Sequence, residues 1–167
     1  MTGMPPVELV RWREEDFDHL RAILGDPAMT EHLGGPQSDE MLRERHERYL
    51  NSQDGVFNLV EVPSGASVGW VGYWEREWKG VQVWEMGWSV LVAFQGRGYA
   101  RAGAQLAIDR MREDGRLAAV HAFPAPDNPP SNALCRTLGF ELVGEDEVEF
   151  PKGSLVRVND WRLRLQR

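Results

Sequence analysis

The sequence predicts a mixed α/β fold, with a mostly antiparallel, twisted sheet that carries helices on both faces. Two helical stretches follow the first strand-like run, and three further strand-like runs come next with only short turns between them. Such closely spaced strands pair as antiparallel hairpins. A glycine-rich segment then leads from a strand through a helix to another strand, which is the connection that joins parallel neighbours. No repeat or long linker divides the 167 residues, so we expect one domain spanning 1–167.

The first half of the chain contains one strand and two helices before the hairpin-linked strands. Val7–Trp12 alternates like a strand. Glu14–Leu24 repeats apolar residues at helical spacing and places acidic residues in its first turn, where they favour a helix start. Ser38 can cap a second helix through the segment DEMLRERHERYLN. The turns PSG and WKG then separate three predicted strands, which are Val56–Val62, Ser67–Glu75 and Val81–Leu91.

The second half predicts two helices and three strands. A helix from about Arg97 to Asp114 ends at Gly115, which suits the left-handed position after a helix. Its predicted buried stripe is made mostly of small residues that allow close approach to a sheet, namely Ala100, Ala104, Ala107 and Met111. Leu117–Phe123 is predicted to be a buried strand, and SNALCRTLGF a short helix ended by Gly139. The last two strands are predicted around Glu141–Val143 and Leu155–Leu165.

Composition and charge argue against several classes of protein. Acidic residues number 26 against 19 basic ones, and the net charge of −7 disfavours nucleic acid as a partner, because nucleic-acid-binding domains usually carry a basic footprint. No apolar run approaches the roughly 20 residues that span a bilayer, and the N-terminus lacks the basic and apolar regions of a signal peptide. The single cysteine, Cys135, cannot form an internal disulfide, so we expect a cytoplasmic protein with no membrane partner.

The stretch FQGRGYAR, residues 94–101, opens a predicted helix with residues that suit a helix poorly. Glycine costs about 1 kcal/mol relative to alanine in a helix interior, and arginine here faces the positive end of the helix dipole. An anion at the helix start explains both choices, because glycines let it approach the unpaired amides while Arg97 and Arg101 add charge on one face. The stretch is not a Walker A loop, and Arg101 stands where a dinucleotide-binding loop has its third glycine.

The surrounding sequence resembles the GNAT superfamily of N-acetyltransferases in two separate motifs. Gln95, Gly98 and Ala100 match the family's Gln/Arg-x-x-Gly-x-Gly/Ala signature for binding acetyl-CoA. Asp127–Phe140 looks like the second signature, in which an Asn and a Ser three residues apart precede a helix and a Leu-Gly-Phe end. The N-terminal segment VELVRWREEDFDHLRAILGDP is similar to the branch that contains the ribosomal-protein N-terminal acetyltransferases. The likeness covers most of the chain and implies a GNAT-like fold, with acetyl-CoA as the cofactor and coenzyme A as its product.

The resemblance also implies a set of contacts with acetyl-CoA. Backbone groups of Val90 and Val92 would bind the pantetheine arm as an added strand would. Asn128 and Ser131 would contact the pantetheine or its sulfur end, which makes Ser131 a candidate catalytic residue as well. Alternatively, these two residues only form a turn and a helix N-cap, with Ser131 as the cap. The pyrophosphate would bind the backbone amides of Gly96, Arg97, Gly98, Tyr99 and Ala100, and Gln95 and Arg101 complete the predicted set.

Glu85 is the candidate general base. Acetyl transfer needs a neutral amine that attacks a thioester, and therefore a group that takes the proton of the amine. Glu85 lies between Trp84 and Met86, and such apolar surroundings would raise the pKa of its carboxyl group. The alternative is an exposed strand residue or a structural ion pair.

Two other reactive side chains are expected in the core. Cys135 occupies the position where many family members have a tyrosine that protonates the leaving thiolate, so the resemblance leaves the general acid open. We interpret Cys135 as a core residue rather than an acyl-carrying nucleophile, and His121 as a hydrogen-bonded core histidine rather than a base. The four histidines show no metal-ligand spacing, so no metal is predicted.

The predicted function is acetyl-CoA-dependent transfer of an acetyl group to a primary amine of a small molecule or peptide by direct attack. The alternative is a catalytically silent acyl-CoA-binding module, and the missing third glycine disfavours a nucleotide-binding regulatory domain. We expect the acceptor to bind near the loop HLGGPQSDE, the Trp70–Trp84 hairpins and Glu149–Trp161, where tryptophans could enclose an aliphatic amine and Glu149 or Asp160 could attract its ammonium group. The sequence leaves the identity of the acceptor and a homodimer open.

Overall fold

The structure, a computed structural model, describes residues 3–52, 55–150 and 152–166. These residues form one seven-stranded sheet, four α-helices and two short 3-10 turns. The strands are β1 (Val7–Arg11), β2 (Val56–Glu61), β3 (Ser67–Trp78), β4 (Val81–Val90), β5 (Ala119–Ala122), β6 (Glu141–Glu149) and β7 (Leu155–Arg164). The helices are α1 (Phe17–Leu24), α2 (Asp39–Asn51), α3 (Tyr99–Asp114) and α4 (Pro129–Thr137), and the 3-10 turns are Glu14–Asp16 and Val92–Phe94.

The strand order is β1-β2-β3-β4-β5-β7-β6, and every neighbouring pair but one is antiparallel. β4 and β5 are parallel, because α3 carries the chain from the end of one strand back to the start of the next. The β3–β4 hairpin turns through Lys79 and Gly80, whose φ angles of 51° and 83° fit a two-residue type I′ turn. The predicted mixed, mostly antiparallel sheet is therefore confirmed.

Helices cover both faces of this sheet, as the sequence predicts. Residues of α3 and α4, among them Ile108 and Cys135, belong to the larger core cluster. Residues of α1 and α2, among them Leu42, form a second cluster over the first three strands. Trp70 and Val71 are neighbours on β3 but pack against different clusters, and successive strand residues point to opposite faces. The two pairs of helices therefore lie on opposite sides of the sheet.

α3 lies very close to the sheet. A Cβ atom at Gly103 would stand 2.8 Å from Leu59 Cδ1 and 2.9 Å from Val71 Cγ2, so no larger side chain fits without a shift. Most of the predicted small-residue stripe is fully buried beneath the helix, namely Ala104, Ala107 and Met111, whereas Ala100 is only half-buried. The small residues thus hold the whole helix against the strands.

Some boundaries differ from the predicted ones for identifiable reasons. α3 begins at Tyr99 rather than Arg97, because Gly98 is its N-cap and has a left-handed φ of 84°. β6 runs to Glu149, although the sequence predicts only Glu141–Val143, because this outer strand is mostly exposed and lacks an apolar alternation. Two predicted caps are confirmed, since Ser38 accepts a hydrogen bond from the Met41 amide and Gly115 ends α3 with a φ of 70°.

Candidate active site

The site begins where the two parallel strands part. β4 and β5 pair only at Trp84↔Val120 and Glu85↔His121. Beyond that point β4 continues for five residues, 86–90, with no strand on this side within the described part of the chain. The Leu91 amide donates to Val68 O on the β3 side, so the backbone groups of Val90 point to the open side. An extended ligand could therefore hydrogen-bond along this edge of β4.

The turn after β4 is closed by the side chain of Gln95. Its Nε2 atom donates to Val90 O at 2.9 Å, and its backbone amide donates to Val92 O at 3.3 Å. Val92 consequently lies in a 3-10 turn, more than half exposed, and does not extend the strand. The structure thus gives Gln95 a definite local role, which is to shape the turn between the strand edge and α3.

The start of α3 presents unpaired amides. Gly96 and Gly98 have φ angles of 77° and 84°, and the first helical hydrogen bond runs from the Ala102 amide to Gly98 O. None of the backbone amides of residues 96–101 donates to another described residue. A Cβ atom at Gly96 would meet nothing within 4 Å, so the space in front of the loop is open. This is the geometry that an anion requires at a helix start.

Two arginines and a tyrosine surround that helix start. Arg97 and Arg101 are exposed, and the Arg97 guanidinium lies 5.9 Å from the centroid of the Phe94 ring. The side chain of Tyr99 is buried, and its hydroxyl donates a hydrogen bond to the Glu61 carboxylate. This bond lowers the pKa of Glu61 and raises that of Tyr99. It ties the first residue of α3 to the end of β2, a contact that no sequence pattern indicated.

Glu85 lies on the sheet face opposite α3, at the last paired position before the strands part. Its carboxylate accepts a hydrogen bond from Arg76 Nη1 at 2.5 Å, and its side chain is 19% exposed. Burial raises the pKa of Glu85, and the hydrogen bond and charge of Arg76 oppose that rise. The predicted raised pKa is confirmed, and so is the ion pair that the sequence left as an alternative. The carboxyl group of Glu85 therefore has a raised pKa and also forms an ion pair with Arg76.

A buried His–Asp pair lies beside Glu85. His121 Nδ1 and Asp160 Oδ1 are 2.6 Å apart, and Trp78 Nε1 donates to Asp160 Oδ2 at 3.0 Å. Burial alone would raise the pKa of Asp160, but the hydrogen bonds from His121 and Trp78 hold it below its usual range. The prediction of a buried, hydrogen-bonded His121 is confirmed. Its partner Asp160, 39 residues away along the chain, could not be identified from sequence spacing. Of the two acids expected to attract the ammonium group of the acceptor, Asp160 is therefore unsuitable, because it is 2% exposed and both its carboxylate oxygens are already bound.

The N-terminus of α4 differs from the alternative prediction in which Ser131 caps this helix. Asn128, not Ser131, is the N-cap, and its Oδ1 accepts from the Ser131 amide at 3.3 Å. Ser131 belongs to the first turn, where its side chain is half-buried. Cys135 is fully buried, and burial raises the pKa of its thiol to about 12. The expectation of a core cysteine is confirmed, and the position that often holds a general acid is shut off from solvent.

The tryptophans from Trp70 to Trp84 do not all lie on the same face of the sheet. Trp84 packs into the core under α3, on the face opposite Glu85. Trp70 and Trp74 lie on the Glu85 face with their ring centroids 6.2 Å apart, over the backbone of Gly72. Trp78, further along the same face, has its ring centroid 4.8 Å from that of Phe123. Aromatic rings therefore flank Glu85 on both sides along β3.

Comparison with known proteins defines the class of protein. The family model described as "Acetyltransferase (GNAT) domain" matches residues 7–141. The chain belongs to this family of acetyltransferases.

Solved structures share the fold over nearly the full chain. An acetyltransferase of the GNAT family from Bacillus anthracis superposes with a TM-score of 0.81 at 16% identity, covering 99% of this chain and 98% of that one. Spermidine N-acetyltransferase from Vibrio cholerae, in complex with CoA and spermine, gives 0.77 at 17% identity over 95% of each chain. Ribosomal-protein-alanine N-acetyltransferase from Brucella melitensis gives 0.72 at 22% identity, covering 95% of this chain and 98% of that one.

Among residues 3–52, 55–150 and 152–166, no helix is long and apolar enough to cross a membrane. Over the same ranges, no group of three or more His, Cys, Asp or Glu side chains is placed to hold a metal ion.

Proposed function

We propose that this chain is an acetyl-CoA-dependent N-acetyltransferase that acetylates a primary amine by direct attack. The observation that carries the proposal is that one strand, β4, joins an open edge to a buried carboxylate. Its open edge from Met86 to Val90 leads to the unpaired amides before α3, and Glu85 stands at the other end of that edge. At about 3.3 Å per residue, Val90 lies about 17 Å along the strand from Glu85. A thioester arm held on this edge would bring its acetyl group close to the carboxylate.

The donor would be held mainly by backbone groups. The pyrophosphate would accept hydrogen bonds from the amides of residues 96–100, and the exposed Arg97 and Arg101 would add positive charge. The pantetheine arm would lie along Val90 and Val92, with Asn128 and Ser131 near its sulfur end. The V. cholerae relative that shares the fold was solved with CoA, which supports this choice of donor.

Glu85 would act as the base that takes the proton of the amine. As the amine nitrogen attacks the thioester carbonyl carbon, the new C–N bond forms and the C–S bond breaks. The proton lost by the nitrogen goes to Glu85, directly or through a water, and coenzyme A leaves as a thiolate that is protonated by solvent. Cys135 cannot supply that proton, because its thiol is fully buried and its pKa is raised to about 12. Ser131 is the polar side chain that we place at the sulfur end.

The acceptor would enter from the Glu85 face, between the aromatic side chains of β3. The relatives named above act on spermidine or on a ribosomal-protein alanine, so a small polyamine and a peptide N-terminus are both suitable first candidates. We further propose that the protein works in the cytoplasm, and a homodimer remains a prediction for solution measurements.

The test is an acceptor screen with acetyl-CoA that reads the release of free thiol. The panel includes polyamines, amino acids, aminoglycosides and peptides with free N-termini. We expect turnover with at least one class, and Glu85→Gln should lower it by roughly 10²–10⁴-fold with little change in acetyl-CoA affinity. Glu75→Gln is the matched control, because Glu75 is also paired with an arginine, Arg116, at 2.6 Å. Acetyl-CoA binding without turnover on the whole panel would instead support the silent binding module.

A further inference from the structure

The arginine that contacts Glu85 is itself held in a fixed place. Arg76 extends from β3 along the Glu85 face, and its guanidinium carbon lies 4.8 Å from the Trp78 ring centroid and 5.1 Å from that of Phe123. From this position Nη1 reaches Glu85 Oε1. We infer that Arg76 is a positioning residue that keeps the Glu85 carboxylate ionised and oriented for proton transfer. This inference rests on the proposed role of Glu85 as the base.

A buried base needs such a partner. A carboxyl group that is four-fifths buried favours its protonated form, and a protonated carboxyl cannot accept the proton of an amine. An opposite charge at hydrogen-bond distance typically lowers a carboxyl pKa by about 1–3 units. Arg76 therefore offsets part of the effect of burial, which on balance still raises the pKa of Glu85.

The other charged groups facing this region are already paired with different acids. On β5, His121 contacts Asp160 of β7 at 2.6 Å. In the hairpin turn, Lys79 contacts Asp146 of β6 at 2.7 Å. On β7, Arg162 lies opposite His121 and reaches Glu141 at 3.9 Å. In the described part of the chain, Arg76 is thus the cation that pairs with Glu85.

The two aromatic rings make the pairing specific for arginine. A guanidinium group is flat and stacks on ring faces while its N–H groups remain available at the edge, whereas an ammonium group cannot do both. The contacts of its guanidinium group with the Trp78 and Phe123 rings fix the direction from which Arg76 approaches Glu85. The pair is also within reach of an acceptor, because 28% of the Arg76 side chain is exposed.

The direct test is to titrate Glu85 by NMR in protein labelled with ¹³C at the glutamate carboxyl carbons. The Glu85 signal is assigned by its loss in Glu85→Gln. We expect Arg76→Gln to raise the pKa of Glu85 by about 1–3 units and Arg76→Lys to give a smaller rise. Arg116→Gln is the matched control, since Arg116 also pairs with a glutamate and lies 5.0 Å from a tryptophan ring, but on the other face of the sheet. It should leave the Glu85 titration unchanged.

The kinetic test uses the pH dependence of kcat/KM with the best amine from the screen. In Arg76→Gln the inflection should move up by the same amount as the NMR pKa, and the rate should return to within a few-fold of wild type above the new pKa. A purely structural role would lower the rate at every pH. An unchanged Glu85 titration in folded Arg76→Gln, or a rate that stays low at all pH values, overturns the inference.

Failure of this inference can be told apart from failure of the proposed function. If Arg76→Gln shifts the Glu85 titration but Glu85→Gln transfers acetyl groups at the wild-type rate, the proposed base is wrong and the electrostatic effect of Arg76 stands. If Glu85→Gln is inactive but Arg76→Gln does not shift the titration, the base stands and the role of Arg76 is overturned.

Discussion

Gly96, in the loop before α3, offers the sharpest test of the proposed donor site. Gly96 and Gly115 flank the same helix, have similar φ angles of 77° and 70°, and have at least 3.9 Å of room around an added Cβ. Substitution of either by alanine places a side chain in the left-handed region, at a cost of roughly 1–2 kcal/mol. For a chain of this size we expect each variant to melt about 2–8 °C below wild type. The two variants should therefore be equally destabilised without ligand.

Only the Gly96→Ala variant should lose affinity for acetyl-CoA. Its methyl group would occupy the open space in front of the unpaired amides, where we place the pyrophosphate. Loss of one hydrogen bond to a charged group is worth about 1.5–3 kcal/mol, which weakens binding by about 10- to 150-fold. Isothermal titration calorimetry with acetyl-CoA measures this directly, and Gly115→Ala should bind like wild type.

A shortened donor localises the effect. S-acetyl-pantetheine lacks the pyrophosphate, so its turnover should be nearly the same in Gly96→Ala and in Gly115→Ala. The assignment of the pyrophosphate to this loop is wrong if folded Gly96→Ala binds acetyl-CoA with wild-type affinity. It also fails if both donors are impaired equally, because the loop would then not be the pyrophosphate site.

Three further predictions concern charge and burial. Arg97→Ala and Arg101→Ala should each weaken acetyl-CoA binding modestly, and more at low than at high salt, while leaving the melting temperature of the free protein unchanged or slightly higher. At about pH 8, the Cys135 thiol should react with a disulfide reagent at least about 10³-fold more slowly in the native than in the denatured protein. The reason is that its raised pKa of about 12 leaves little thiolate in the native state. Rapid labelling of the native protein would contradict the burial of Cys135. Because the folded pKa of Asp160 is lowered, its contribution to stability is present above the ordinary carboxyl pKa and is lost as pH falls through the folded value. Urea unfolding should therefore show a clear deficit for Asp160→Asn at neutral pH that shrinks as the pH falls below the ordinary pKa range of carboxyl groups, and a constant deficit would mean that the contact with His121 contributes through packing alone.

The need for glycines at the ends of α3 was predictable from sequence because the signals are local. Gly98 and Gly115 lie at the two ends of α3, where the backbone has left-handed φ angles. Glycine adopts such angles without steric cost, so its presence in the sequence indicates them directly. The same holds for the Ser38 cap. A resemblance over two motifs then added the identity of the ligand, which the spacing of glycines alone could not provide.

The surroundings of Glu85 and His121 were only partly predictable because their contacts are set by strand register. Arg76 meets Glu85 because β3 and β4 pair with Trp74 opposite Glu85, and Asp160 meets His121 because β7 lies beside β5. Neither pairing leaves a periodic signal in the chain. The assignment of the helix cap to Ser131 failed for a related reason, since Asn and Ser both suit the position and only the geometry shows which one occupies it.

The close packing of α3 on the sheet has a consequence for engineering this chain. Because Gly103 leaves no clearance above Leu59 and Val71, a larger side chain there would push α3 away from β2 and β3, and the helix start would shift with it. An engineer who wants the helix start to keep its position over the sheet would therefore leave position 103 as glycine.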